Sequence, residues 1–145
     1  MLRSIVALLA GLLSGVIVIL AFEFASNTLF PPPAGFLQFS PAQFAHYVQQ
    51  LPAMAFVLVL LGWFFGAADA AILSAWLAPQ RPLWHAAIVC TIFLLMAAIN
   101  LFTVPHPFWM VLVTPFIYIA AFLIGSAIGK RLNARRQTSN STASG

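Results

Sequence analysis

The sequence predicts an all-α membrane protein: a four-transmembrane-helix bundle with a Pro-rich outer loop and a short interfacial helix. Three observations carry that prediction. First, 63% of the 145 residues are hydrophobic and only eight are charged, six basic and two acidic. A soluble domain carries about 25% charged residues; this chain has too few to cover a water-facing surface, so its solvent is lipid. Second, four apolar stretches, about 4–25, 52–77, 83–102 and 108–129, each reach the roughly 20 residues that cross a bilayer. Third, the basic residues follow one topology. Arg3 precedes the first stretch, Arg81 lies between the second and third, and Lys130, Arg131, Arg135 and Arg136 follow the fourth. The other two connections hold no Lys or Arg. Because Lys and Arg stay on the cytoplasmic side, both termini are expected inside a bacterial inner membrane. Trp76, Trp84 and Trp109 stand at the expected interfaces, where amphipathic rings settle.

The first stretch has an apolar core of about 18 residues, longer than the 7–15 of a secretory signal, and reads as an uncleaved spanning helix. Gly11 and Gly15 lie on its inner half beside Ser14, and Glu23 closes it near the outer surface. Residues 27–51 form the one long connection. Phe30-Pro31-Pro32-Pro33 is a stiff extended turn, and Gly35 permits a tight reversal. Ser40-Pro41-Ala42-Gln43 is a helix start with cap, N1 proline and reciprocal glutamine. The helix it opens, 41–50, is amphipathic and uncharged, and is expected to lie flat in the outer interface as a cap on the bundle. Residues 78–82 make the inner turn. Thr103-Val-Pro-His-Pro107 makes the outer one. Pro115 removes a hydrogen bond inside the fourth span and is expected to kink it. Residues 130–145, polar and basic, are expected to be a disordered cytoplasmic tail drawn to anionic lipid.

Six of the eight glycines form three pairs spaced by four: Gly11/Gly15, Gly62/Gly66 and Gly125/Gly129. Lipid supplies no hydrophobic force between helices, and small residues let backbones approach. The pairs therefore predict close helix packing, within one chain first and in a homo-oligomer second.

The two acids lie inside spanning segments or at their edge. A carboxyl at bilayer depth costs roughly 2.5–3.5 kcal/mol on an insertion scale, so it needs a partner or a role. A rise of 1.5 Å per residue places Asp69 about 17 Å from the basic boundary, with Ser14, Thr91 and Tyr118 within about 2 Å of that depth. Asp69 lies within about 20° of Gly62, and Tyr118 within about 20° of Gly125. A neutral Asp69 hydrogen-bonded to Tyr118 or Ser14 would clamp helices together; a titrating Asp69 would serve proton transport. Glu23 lies about 12 Å further out, so the two acids do not form a catalytic pair. At its level are Asn100, His106 and His46, an outer polar cluster whose imidazoles and carboxylate also suit a metal, although their spacing matches no ligand motif. Cys90 is the single cysteine, which excludes an intrachain disulfide.

Four stretches carry a family resemblance: Phe22-Glu23 at the end of the first helix, Pro31-Pro32-Pro33-Ala34-Gly35, Leu60-Leu61-Gly62-Trp63 with Gly66, and Asn100 followed by Pro105-His106-Pro107-Phe108-Trp109. On these the chain resembles a family of small bacterial four-helix inner-membrane proteins that has no assigned activity. The resemblance implies fold and location and brings no chemistry. The leading expectation is a non-enzymatic accessory or structural component, without cofactor, metal or nucleic-acid partner, facing the bilayer and a homo-oligomer or another membrane protein. The alternative is a small proton-linked transporter or channel component that uses Asp69.

Overall fold

Prolines and polar caps divide the chain into helices. The computed structural model describes residues 2–143, and the side chains of residues 2–139. α1 (Leu2–Leu29), α3 (Ala53–Leu77), α4 (Pro82–Thr103) and α5 (Phe108–Ala143) are each long and apolar enough to cross a membrane. The short α2 spans Pro41–Gln50. The protein is an all-helical, multi-pass membrane protein.

Two boundaries differ from the sequence reading. α1 runs on to Leu29, so Glu23 sits within the helix and does not close it. Nothing between Glu23 and Pro31 breaks a helix, and the Phe30 N–H still reaches the Ser26 carbonyl at 2.8 Å. Pro31, lacking an N–H, is the first residue that cannot continue the ladder. The larger correction concerns α5. It does not stop at Gly129 but continues through the basic tail to Ala143. The tail expected to be disordered is therefore helical over its described part; residues 144–145 lie outside the described residues. The physical reason is Asn133, which docks this segment onto α3, as set out below. α5 also passes through Pro115 as one continuous helix.

The connection between α1 and α3 forms as its residues dictate. Gly35 has φ +80°, the left-handed region that side chains resist, and a short 3-10 turn over Phe36–Gln38 follows it. α2 begins with a full capping box: the Gln43 N–H donates to Ser40 Oγ at 3.4 Å, and the Ser40 N–H donates to Gln43 Oε1 at 2.8 Å. Phe36 packs its ring against those of Phe39, Phe44 and Tyr47 at centroid separations of 5.4–5.7 Å. Val48 is buried, while Gln43, His46, Gln49 and Gln50 face outward. The amphipathic reading of α2 thus holds, with its apolar side turned toward the start of α3.

α3 is the hub: it packs against α1, α4 and α5, whereas α1 and α4 only graze each other. Small residues permit this on two separate sides. On one, a Cβ added at Gly15 would stand 2.6 Å from the Gly66 carbonyl oxygen, and one at Gly11 would stand 2.7 Å from that of Ala70. On the other, a Cβ at Gly125 would lie 2.7 Å from the Ala68 carbonyl oxygen, and one at Gly129 would lie 2.6 Å from that of Ile72. Real Cβ atoms do not approach this closely, so backbone lies on backbone at all four places. Residue numbers run in opposite senses across the first contact and in the same sense across the second, so α1 is antiparallel to α3 and α5 parallel to it. The chain's three basic positions, Arg3, Arg81 and the Lys130–Arg136 group, consequently share one end of the bundle, here termed the basic end. The long connection holding α2 caps the other, loop end.

Candidate functional site

Asp69 sits on α3 one turn below Gly66, toward α1. Ser14 rises from the facing turn of α1, and its hydroxyl donates to Asp69 Oδ2 at 2.5 Å. Equal depth and shared helix face, both readable from spacing, bring these two together. Among the described residues Ser14 is the one hydrogen-bond donor to this carboxyl. Asp69 is half-buried. It interrupts a stripe of exposed apolar residues along α3, Val57, Leu61, Phe65 and Trp76, which recur at helical spacing on the side that no helix covers among the described residues. The only carboxyl at mid-depth therefore lies on the seam between the α1 contact and the open face.

Tyr118 has the predicted depth but not the predicted neighbour. It is 4% exposed and lines clefts with residues of α4, not with Asp69. One cleft, about 270 Å³, opens beside Cys90, Thr91 and Pro115. Thr91 is exposed on its rim, not buried with Asp69. The other, about 240 Å³, lies between α1 and α4: Trp63 and Tyr118 stand with Phe93 at its inner part, and Glu23 and Asn100 belong to its polar lining. Trp63 is about 120° round α3 from Asp69, which separates this cleft from the Ser14 pair.

The outer cluster divides. Glu23 and Asn100 share the α1/α4 cleft. His106 instead packs its ring against Phe56 and Trp63 at 6.1 and 6.4 Å, and its Nδ1–H donates to the Val104 carbonyl at 2.8 Å. It lines a separate cavity of about 310 Å³ under α2, with Val48, Gln49 and Trp109. His46 lies on the exposed side of α2 and accepts from Gln50 Nε2 at 2.9 Å. Among the described residues no three His, Cys, Asp or Glu side chains converge on a point where a metal would sit.

Several buried polar residues escaped the sequence reading; Ser74, Thr114 and Ser126 bond carbonyls of their own helices, whereas Asn133 reaches another helix. Asn133 is 4% exposed. Its Nδ2 stands 3.1, 2.8 and 2.7 Å from the carbonyl oxygens of Ala75, Trp76 and Ala78. Gln137 Nε2 donates to Asn133 Oδ1 at 2.7 Å and fixes which way the amide points. The last turn of a helix leaves its carbonyls without partners, and α3 ends at Leu77 with Ala78 as its C-cap and no glycine to wrap them back. Asn133 satisfies them from another helix. Composition hid it, because an asparagine in a Ser-, Thr- and Arg-rich tail reads as solvated. Beside it lies a cleft of about 240 Å³ lined by Arg3, Leu77, Ala78, Pro79, Asn133, Arg136 and Gln137.

With this geometry in hand, comparisons with protein-family models, curated proteins and solved structures give no match for the chain.

Proposed function

We propose that the protein is a non-enzymatic accessory or structural component of the bacterial inner membrane, with both termini cytoplasmic. In this reading its helices associate through their Gly-x-x-x-Gly faces. The open stripe of α3 meets a further spanning helix, in a homo-oligomer or on another membrane protein. The observation that carries the reading is the Ser14–Asp69 bond beside a seam closed by backbone contact. The acid is satisfied within the chain, and backbone meets backbone beside it at Gly11, Gly15 and Gly66. Exposed Leu61, Phe65 and Trp76 around it supply a surface that another apolar helix would cover.

A second reading, a proton-linked transporter or channel component with Asp69 as the titrating group, draws on the half-exposure of that carboxyl and its single donor. Asp69→Asn separates the two. An amide oxygen accepts from Ser14 as a neutral acid does, so as a clamp the variant keeps its fold within about 0.6 kcal/mol, the average worth of such a bond in a membrane protein. The wild type then dissipates a pH gradient across liposomes no faster than empty vesicles. Wild-type flux that Asp69→Asn abolishes, with the variant still folded, would discard the structural reading in favour of transport.

A further inference from the structure

The cleft at the basic end differs from the others in its charge. Arg3 enters it from the first turn of α1 and Arg136 from the far end of α5, so residues 133 positions apart bring two guanidinium groups to one opening. No side-chain carboxylate balances them. The chain's acids are Glu23 and Asp69; the first lies about 30 Å along α1 from Arg3, the second about 12 Å up α3 from Leu77. The cleft floor is fixed, because Asn133 ties α5 to the end of α3 and Gln137 braces Asn133. Arg131 and Arg135, by contrast, do not line it.

We propose that this cleft is a discrete binding site for a phosphoryl anion, held between Arg3 and Arg136. Two like charges brought to one opening repel, and an anion between them relieves that repulsion. Guanidinium forks match phosphate oxygens with paired, charge-assisted hydrogen bonds. A lipid phosphodiester is in reach, since the cleft lies where spanning segments meet their basic flank; a free phosphate presents the same chemistry. The site differs in kind from diffuse attraction of a basic tail to an anionic leaflet, in which each Lys or Arg counts alike. Here Arg3, outside the tail, counts as much as Arg136, and Arg131 and Arg135 count little.

The test compares charge-matched variants in nanodiscs of mixed phosphatidylglycerol and phosphatidylcholine. R3Q/R136Q and R131Q/R135Q each remove two positive charges. Native mass spectrometry of released protein counts retained lipid. The expected result is one phosphatidylglycerol on the wild type and on R131Q/R135Q, and at least roughly tenfold lower retention on R3Q/R136Q. R3K/R136K keeps the charges that guide insertion but loses the forks; it is expected to fall between, and it keeps the test decisive should the Gln pair insert poorly. If no lipid is retained, phosphorus NMR with inorganic phosphate gives the second arm. Broadening of its resonance by wild type but not by R3Q/R136Q assigns the site to a soluble anion. Equal loss of lipid in both Gln pairs, or no loss in either, with no such broadening, overturns the proposal.

Discussion

Gly66→Ile is expected to remove most of the folded protein from the membrane. A Cβ at this position would stand 2.6 Å from Ile19 Cγ1 and 2.8 Å from the Gly15 carbonyl oxygen. The first atom can rotate away; the second belongs to the backbone of α1 and cannot. The whole of α1 would have to retreat, breaking the Ser14–Asp69 bond and the Gly11 contact with Ala70 as it goes. Overpacking a tight core costs about 1–3 kcal/mol, and here loss of a helix interface adds to it. Gly15→Ile is equivalent, since its Cβ would meet the Gly66 carbonyl oxygen at 2.6 Å and Phe93 at 2.8 Å. Gly62 is milder: the nearest atom is Phe22 Cβ at 2.9 Å, a side-chain atom, with backbone no closer than 3.8 Å. Alanine at Gly66 and Gly15 should therefore lower the unfolding free energy by about 2–3 kcal/mol, and at Gly62 by about 1 kcal/mol. Steric-trap unfolding in bicelles measures this ordering. Equal tolerance at all three positions would mean that α1 does not pack on α3 through these residues.

Asn133 carries the second large effect. Asn133→Ala exposes three carbonyls at the end of α3 with no donor to replace the amide. A buried acceptor left unsatisfied costs about 1–3 kcal/mol. The same change unpins α5 beyond Gly129, so amide exchange should rise in residues 130–139 as well as in the last turn of α3. Asn133→Asp should be worse than Ala. It keeps the shape but turns an acceptor toward three acceptors, and the guanidiniums of the adjoining cleft, Arg3 and Arg136, offset only its charge, not that mismatch. The ranking Asn, then Ala, then Asp in thermal stability checks the assignment of the amide nitrogen. A tail whose exchange is already fast in the wild type would refute the docking itself.

The chain's sequence held the spans, their order and the Ser14–Asp69 pair. Apolar length sets the first two, and depth with helical angle sets the third. Depth did not suffice for Tyr118. Its angle to Gly125 was correct, but that face belongs to a different interface. α3 carries a second small-residue side, Ala68, Ala71 and Ala75, roughly 140° to 200° round from Gly66. Alanines in an apolar helix look like filler, so the sequence suggests one contact surface where the fold uses two. α5 takes the alanine side and carries Tyr118 away from Asp69. The outer cluster divided for a similar reason. Glu23, Asn100, His106 and His46 share a level, but azimuth depends on which helices are neighbours. Asn133 was illegible because its partners are backbone carbonyls, which every residue has.

Cys90 is the chain's only sulfhydryl. It is held against α3, 6% exposed, with Sγ 3.8 Å from the Ala67 carbonyl oxygen, and it borders the cleft between α4 and α5. The protein thus has a native clock for its own breathing. With the thiol 6% exposed at the base of that cleft, alkylation by a maleimide in detergent should stay slow until the melting transition and then rise with it. Variants that loosen the α1 seam alone should leave that clock unchanged, whereas Asn133→Asp, which frees the end of α3, should quicken it.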